Sequence, residues 1–165
     1  MIHDFDEFLV CNKLDRNGTN GFLPISSIGE ADFVFRSQDK VDSMWKPINV
    51  VGIFTKDKRI ATTEDRYLPM TTVVKRDEEY SYLKDNDSIV RQAVKRLSCD
   101  SDLKIQFDKI RMIGCVEDDT SITYVFQSEI LSADPNCEMH IFDVGHLKTS
   151  DMVPAITKMI ISGLY

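Results

Sequence analysis

The sequence holds no apolar run approaching the roughly 20 residues a helix needs to cross a bilayer, so no membrane-spanning helix is expected. It is short of cations: 20 Lys and Arg stand against 27 Asp and Glu, a formal net charge of −7 with a pI of about 4.9. Non-specific binding to a nucleic-acid backbone needs a positive surface and is not expected, although a small local basic patch is compatible with this balance. The four cysteines, Cys11, Cys99, Cys115 and Cys137, form no C-x-x-C pair. Three sit in apolar or strand-like runs, where a reduced thiol acts as a small hydrophobe, so a reduced, cytoplasmic protein is the expectation. The segment MIHDFDEFLV is acidic and shows no basic-then-apolar signal pattern. There is no P-loop, no G-x-G-x-x-G fingerprint and no G-x-S-x-G elbow, the usual signatures of phosphate loops, dinucleotide folds and serine hydrolases. Repeats, low-complexity stretches and Pro/Gly-rich linkers are also missing. Residues 1–165 therefore read as one domain of ordinary size.

What is present is ordinary for a globular domain: 42% apolar and 28% charged residues. Glu7–Lys13 reads as a strand, and DRNGTNGFLP after it as a loop. Asp32–Ser37 is a second strand. Lys46–Lys56 (KPINVVGIFTK) is the most β-branched apolar run and predicts a buried strand, with Pro47 at its start. The turn TKDK leads to a hairpin partner at Arg59–Thr62, and Met70–Lys75 is a further strand. Asp87–Leu97 predicts a helix capped by Asp87 or Ser88, with Ile89, Ala93 and Leu97 on one apolar face. Two long strands, Leu103–Glu117 and Ser121–Ser132, flank an acidic turn. A last helix is expected over Ser150–Ser162, capped by Ser150, with Met152, Ile156, Met159 and Ile160 as its buried stripe. This order predicts an α/β (α+β) domain, a mixed sheet with helices on its faces.

Through the segments FLVCN, FVFRSQDKVDSMWKPINVVGIF, IVRQAVKRLSCD, KIRMIGCVEDD and SITYVFQSEI, the chain resembles the Nudix superfamily over about residues 5–132. More narrowly it is similar to Nudix-like phosphoesterases of bacteria and phages. The resemblance implies a mixed sheet sandwiched by helices. It also implies a metal site, because the family motif G-x5-E-x7-R-E-U-x-E-E-x-G-U uses helix glutamates to hold a divalent cation against a diphosphate. With the motif arginine placed on Arg91, the three following glutamates fall on Gln92, Lys95 and Arg96. The later glycine and apolar position fall on Ser98 and Cys99, and the upstream glycine and glutamate on Asp77 and Leu83. Only the arginine and the apolar spacing remain.

A hard divalent cation takes negatively charged oxygen ligands. Gln92 offers one neutral oxygen, whereas Lys95 and Arg96 offer cations. Like unit charges about 4 Å apart repel by about 4 kcal/mol at an effective dielectric near 20, and a divalent ion doubles that. No metal or other cofactor is therefore expected, and Nudix hydrolysis by these residues is not. Arg91, Gln92, Lys95 and Arg96 instead become candidates for holding an anion such as a nucleotide phosphate. The plainer reading is a solvated helix face.

Arg36, Asp42 and Lys46 lie where the related phosphoesterase-like proteins carry a polar cluster, so Arg36 and Lys46 are candidates to line a cleft. Otherwise they are surface residues around a turn. Trp45 can stack on a base or pack in the core. Cys137, His140 and His146 have a C-x2-H-x5-H spacing that fits no standard zinc pattern, and Ile141–Phe142 between the histidines suggests a short strand. Glu117, Asp118 and Asp119 can hold a cation or simply form an Asp-rich turn. Three functions follow as expectations. The first is a non-catalytic binding or regulatory domain taking a nucleotide or a protein partner. The second is a metal-dependent phosphohydrolase with relocated carboxylates (Glu78, Glu79 or 117–119). The third is a phage or mobile-element accessory protein that binds a host factor. A homodimer is compatible with all three.

Overall fold

The computed structural model describes residues 7–12, 22–24, 33–37, 41, 45–75 and 86–165, with side chains left aside at 11–12, 33–37, 74–75 and 86–89. Its centre is a parallel pair. Strand β4 (Trp45–Lys56) runs beside β10 (Ile122–Ala133), from Ile48 opposite Ile122 to Thr55 opposite Glu129. A parallel pair must be covered on both faces, and the alternation of side chains along the strands sorts them into two cores. Ile48, Val50 and Phe54 with Ile122, Tyr124, Phe126 and Ile130 point to one side. Val51 and Ile53 with Val125 point to the other.

Among the described residues, eleven strands join this sheet. The main path runs β11 (His140–Asp143), β5 (Arg59–Thr62), β4, β10, β9 (Arg111–Glu117) and β2 (Phe22–Pro24). Strand β1 (Glu7–Asn12) pairs antiparallel with β3 (Phe33–Ser37), with β4 and with β7 (Val74–Lys75). Strand β6 (Met70–Thr72) pairs with β4, and β8 (Leu103–Ile105) with the end of β10. The β4–β5 hairpin turns on Asp57 and Lys58, both at positive φ (50° and 64°), the backbone that a two-residue type I′ turn requires.

Each core has its helix. Helix α1 (Asn86–Asp100) lays Val90, Ala93, Val94 and Leu97 on the first. Helices α2 (Val144–Thr149) and α3 (Ala155–Leu164) cover the second with Leu147, Ile160 and Ile161, joined by Val153. The result is a mixed sheet between helices, as the sequence predicts. Among the described residues no helix is long and apolar enough to cross a membrane.

Four expectations are corrected in detail. Strand β2 lies inside the stretch read as loop. The single strand expected over Leu103–Glu117 is broken by a 3₁₀ turn at Phe107–Lys109, because β8 and β9 pair with different stretches of β10 and the intervening residues loop out. The strand expected over Met70–Lys75 divides at Val73, which is fully buried and donates its N–H to Ile48 O. The last helix starts at Ala155 rather than Ser150, since Pro154 stands at its cap in extended geometry and Ser150 terminates α2. That later start turns Thr157, Ile160 and Ile161 inward, while Met152, Ile156 and Met159 are exposed. The expected caps Asp87 and Ser88, and Ile89, lie outside the described side chains.

Strand β2 approaches β9 across Gly114, whose Cβ, if present, would lie 2.5 Å from Leu23 O and closer still to the Phe22 ring. Backbone cannot give way there as a flexible side chain can. Gly114→Ala is expected to destabilise the fold by about 1–3 kcal/mol, read as a lower urea midpoint with an unchanged slope.

Candidate functional site

The candidate residues fall at two ends of the sheet. Lys46 opens β4 on the face that carries α1, two residues before Ile48. Glu117 closes β9 opposite Ile122 on the same face. The Lys46 ammonium, on a residue only 5% exposed, donates to Asp118 O at 2.5 Å and lies 3.8 Å from Glu117 Oε1. Lys46, read as a cleft residue, and the acidic turn, read as a cation site, thus answer each other. A buried ammonium is tolerable only when paired and hydrogen-bonded. Trp45 beside it packs with Val41 against Phe8 and Val10. The Arg36 side chain, Asp42, Glu78 and Glu79 lie outside what is described.

The Asp118 carboxylate accepts from Thr120 N and Ser121 N at 2.8 Å each, and from both of their hydroxyls. Partial burial pushes its pKa up, but these four hydrogen bonds together outweigh it and hold the group below its ordinary value of 3.8. Asp119 in the same turn is exposed.

At the other end lies α1. With its apolar face inward, Arg91 and Gln92 are half-buried, and Lys95 and Arg96 are exposed. Arg91 Nη1 donates to Ile110 O. Lys95 Nζ sits 5.1 Å from the centre of the Phe107 ring, a cation–π contact. Both cations therefore hold the 107–110 segment against the helix. Buried Ser98 returns a hydrogen bond to Lys95 O. This donor set, one amide and two cations, does not fit a hard divalent cation.

Beyond that segment, a cleft of about 360 Å³ is lined by Thr55, Gln106, Lys109, Arg111, Gln127, Ser128 and Glu129. From Lys46 to Thr55 is roughly 25–30 Å along β4, so the cleft and the Lys46 pair occupy opposite ends. Sequence reasoning missed this cleft. The signal was Lys104, Lys109 and Arg111 close together in an acidic chain, hidden by reading 103–117 as one strand.

Cys137, His140 and His146 take separate roles. Cys137 Sγ donates to Ser101 O at 3.2 Å. His146 Nε2 accepts from Arg66 Nε at 2.9 Å, and the rings of His140 and His146 stack on Phe142 at 6.2 and 5.2 Å. Among the described residues no three His, Cys, Asp or Glu side chains gather as metal ligands would.

Against known structures, this chain is similar to the crystal structure of Tm1382, a candidate Nudix hydrolase, with a TM-score of 0.69 over 96% of this chain and 97% of that one, at 14% identity. The fold is Nudix-like. No protein-family model matches the sequence, and no curated protein matches it.

Two outcomes follow. Lys46→Met leaves a carboxylate buried beside a lost partner and is expected to cost about 3–5 kcal/mol, whereas Lys46→Met with Glu117→Leu recovers most of it; urea denaturation of the set checks this. Asp118 has a depressed folded-state pKa, so its contribution is complete above the ordinary carboxylate value and fades as pH falls below about 3.8. The stability gap between wild type and Asp118→Ala is therefore expected to be full at pH 6 and reduced at pH 3.

Proposed function

We propose that this domain is a non-catalytic binding module on a Nudix-like scaffold, which takes a nucleotide-like anion without metal. The observation that carries this reading is the chemistry of α1. The helix keeps its apolar face, but the positions that the resemblance gives to metal-holding glutamates carry Gln92, Lys95 and Arg96, two of them exposed cations. A helix that packs as a scaffold while presenting positive charge attracts a phosphate and repels the cation that Nudix hydrolysis requires.

The reading of an enzyme with relocated carboxylates gains no support from the acidic turn. There Glu117 is engaged by Lys46 and Asp118 by its own turn.

Thermal shift with ADP and ADP-ribose, each in EDTA and in Mg²⁺, tests the proposal. At a ligand concentration 100 times Kd, stabilisation of about 2.7 kcal/mol is expected, about 5–10 °C for a domain of this size. It should be as large in EDTA as in Mg²⁺, with neither compound turned over. A shift seen only with Mg²⁺, or turnover of either compound, would sink the reading.

A further inference from the structure

The geometry points to a specific phosphate site: we infer that the cleft where the β4–β10 pairing ends binds the phosphate of a small phosphomonoester, held by side chains and not by metal. This goes beyond the anion-binding reading above, since none of the α1 residues lines the cleft.

The location comes first. Strand β4 ends at Lys56 while β10 runs on to Ala133 beside β8, so the parallel pairing opens past Thr55 and Glu129 and leaves a crevice there. Here Thr55 and Glu129 are register partners at that end, with Ser128 and Gln127 just before them on β10. The looped-out residues Gln106 and Lys109 and the first residue of β9, Arg111, form the facing wall. At about 360 Å³ the cleft has room for a phosphate and a few attached carbons.

Its polar groups are already oriented. Arg111 Nη2 donates to Gln127 Oε1 at 2.7 Å, and Gln127 Nε2 donates to the Tyr165 hydroxyl at 3.1 Å. A guanidinium carries five N–H donors in a fixed fork, so the bond to Gln127 aligns it and leaves others for an oxyanion. Lys109 is exposed beside it and supplies a second cation. One carboxylate, Glu129, also lines the cleft, so the wall carries two positive charges against one negative. That balance suits a single phosphate group, and the carboxylate can accept from a hydroxyl on the ligand's body.

Ser128 also lines the cleft, but it stands opposite Phe54 and shares the alternation of Phe126 and Ile130, so its side chain turns toward the first core and the positive wall is carried by Lys109 and Arg111. The α1 cations contribute at longer range through Lys95, whose contact with Phe107 holds the segment bearing Gln106 and Lys109.

The experiment is an amide-resolved NMR titration of the full chain in EDTA with inorganic phosphate and ribose 5-phosphate, with ribose and matched chloride as controls. Saturable shifts at Gln106, Lys109, Arg111 and Ser128 are expected with both phosphate compounds and with neither control. Ribose 5-phosphate binding tighter than inorganic phosphate supports the monoester; the reverse order overturns that part. Lys109→Gln with Arg111→Gln, both at exposed positions, should weaken binding at least tenfold. Binding that survives the double variant but is lost in Lys95→Gln with Arg96→Gln overturns the site and leaves the proposed function standing. So does a protein that responds to nucleotides by thermal shift yet shows no saturable change at these amides. Silence in both assays overturns both.

Discussion

Everything in this molecule hangs on the parallel pairing of β4 with β10. Two strands that share a ladder and are buried on both faces cannot exist without cover on each side, and that requirement recruits α1 to one face and α2 with α3 to the other. The same pairing fixes the register, and the register decides which residues share an end. Lys46 meets Glu117 where the pair begins, and Thr55 meets Ser128 and Glu129 where it finishes. Two polar regions thus arise from one arrangement, one closed by an internal ion pair, the other open as a cleft.

Helix α1 shows how scaffold and chemistry separate on a single element. Val90, Ala93, Val94 and Leu97 secure it to the sheet, and nothing in that role depends on the sign of the charges opposite. The cations of the opposite face hold the segment between β8 and β9: Arg91 through a backbone carbonyl, Lys95 through an aromatic ring. The polar face of the helix thus helps to shape the neighbouring cleft.

The strongest elements were legible in the sequence because their signals are local. The run KPINVVGIFTK and the four-residue spacing of Ala93 and Leu97 announce a buried strand and an amphipathic helix without reference to the rest of the chain. The misses have non-local causes. Strand β2 is three residues long and exists only because Gly114 lets it approach β9. The face of α3 was misread because Met152, Ile156 and Met159 are as apolar as Ile160 and Ile161, and only packing distinguishes them. In the candidate site, Lys46 and the acidic turn were each legible as polar features. Their partnership, across 72 residues of chain, was not. Ser128 reads as any strand serine, and its burial has no trace in the sequence.

The edges of the main strand path are both poor templates for a further strand. At one end lies β2, with three residues, one of them Pro24, which has no N–H to offer. Its Phe22 is tucked against Gly114 and, on α3, Gly163. At the other lies β11, four residues long, with Asp143 bridged to Arg59 at 3.3 Å. Short strands, proline and charge are the means by which sheets avoid joining edge to edge. Extension of the main strand path by a further strand is thereby discouraged at both of its ends.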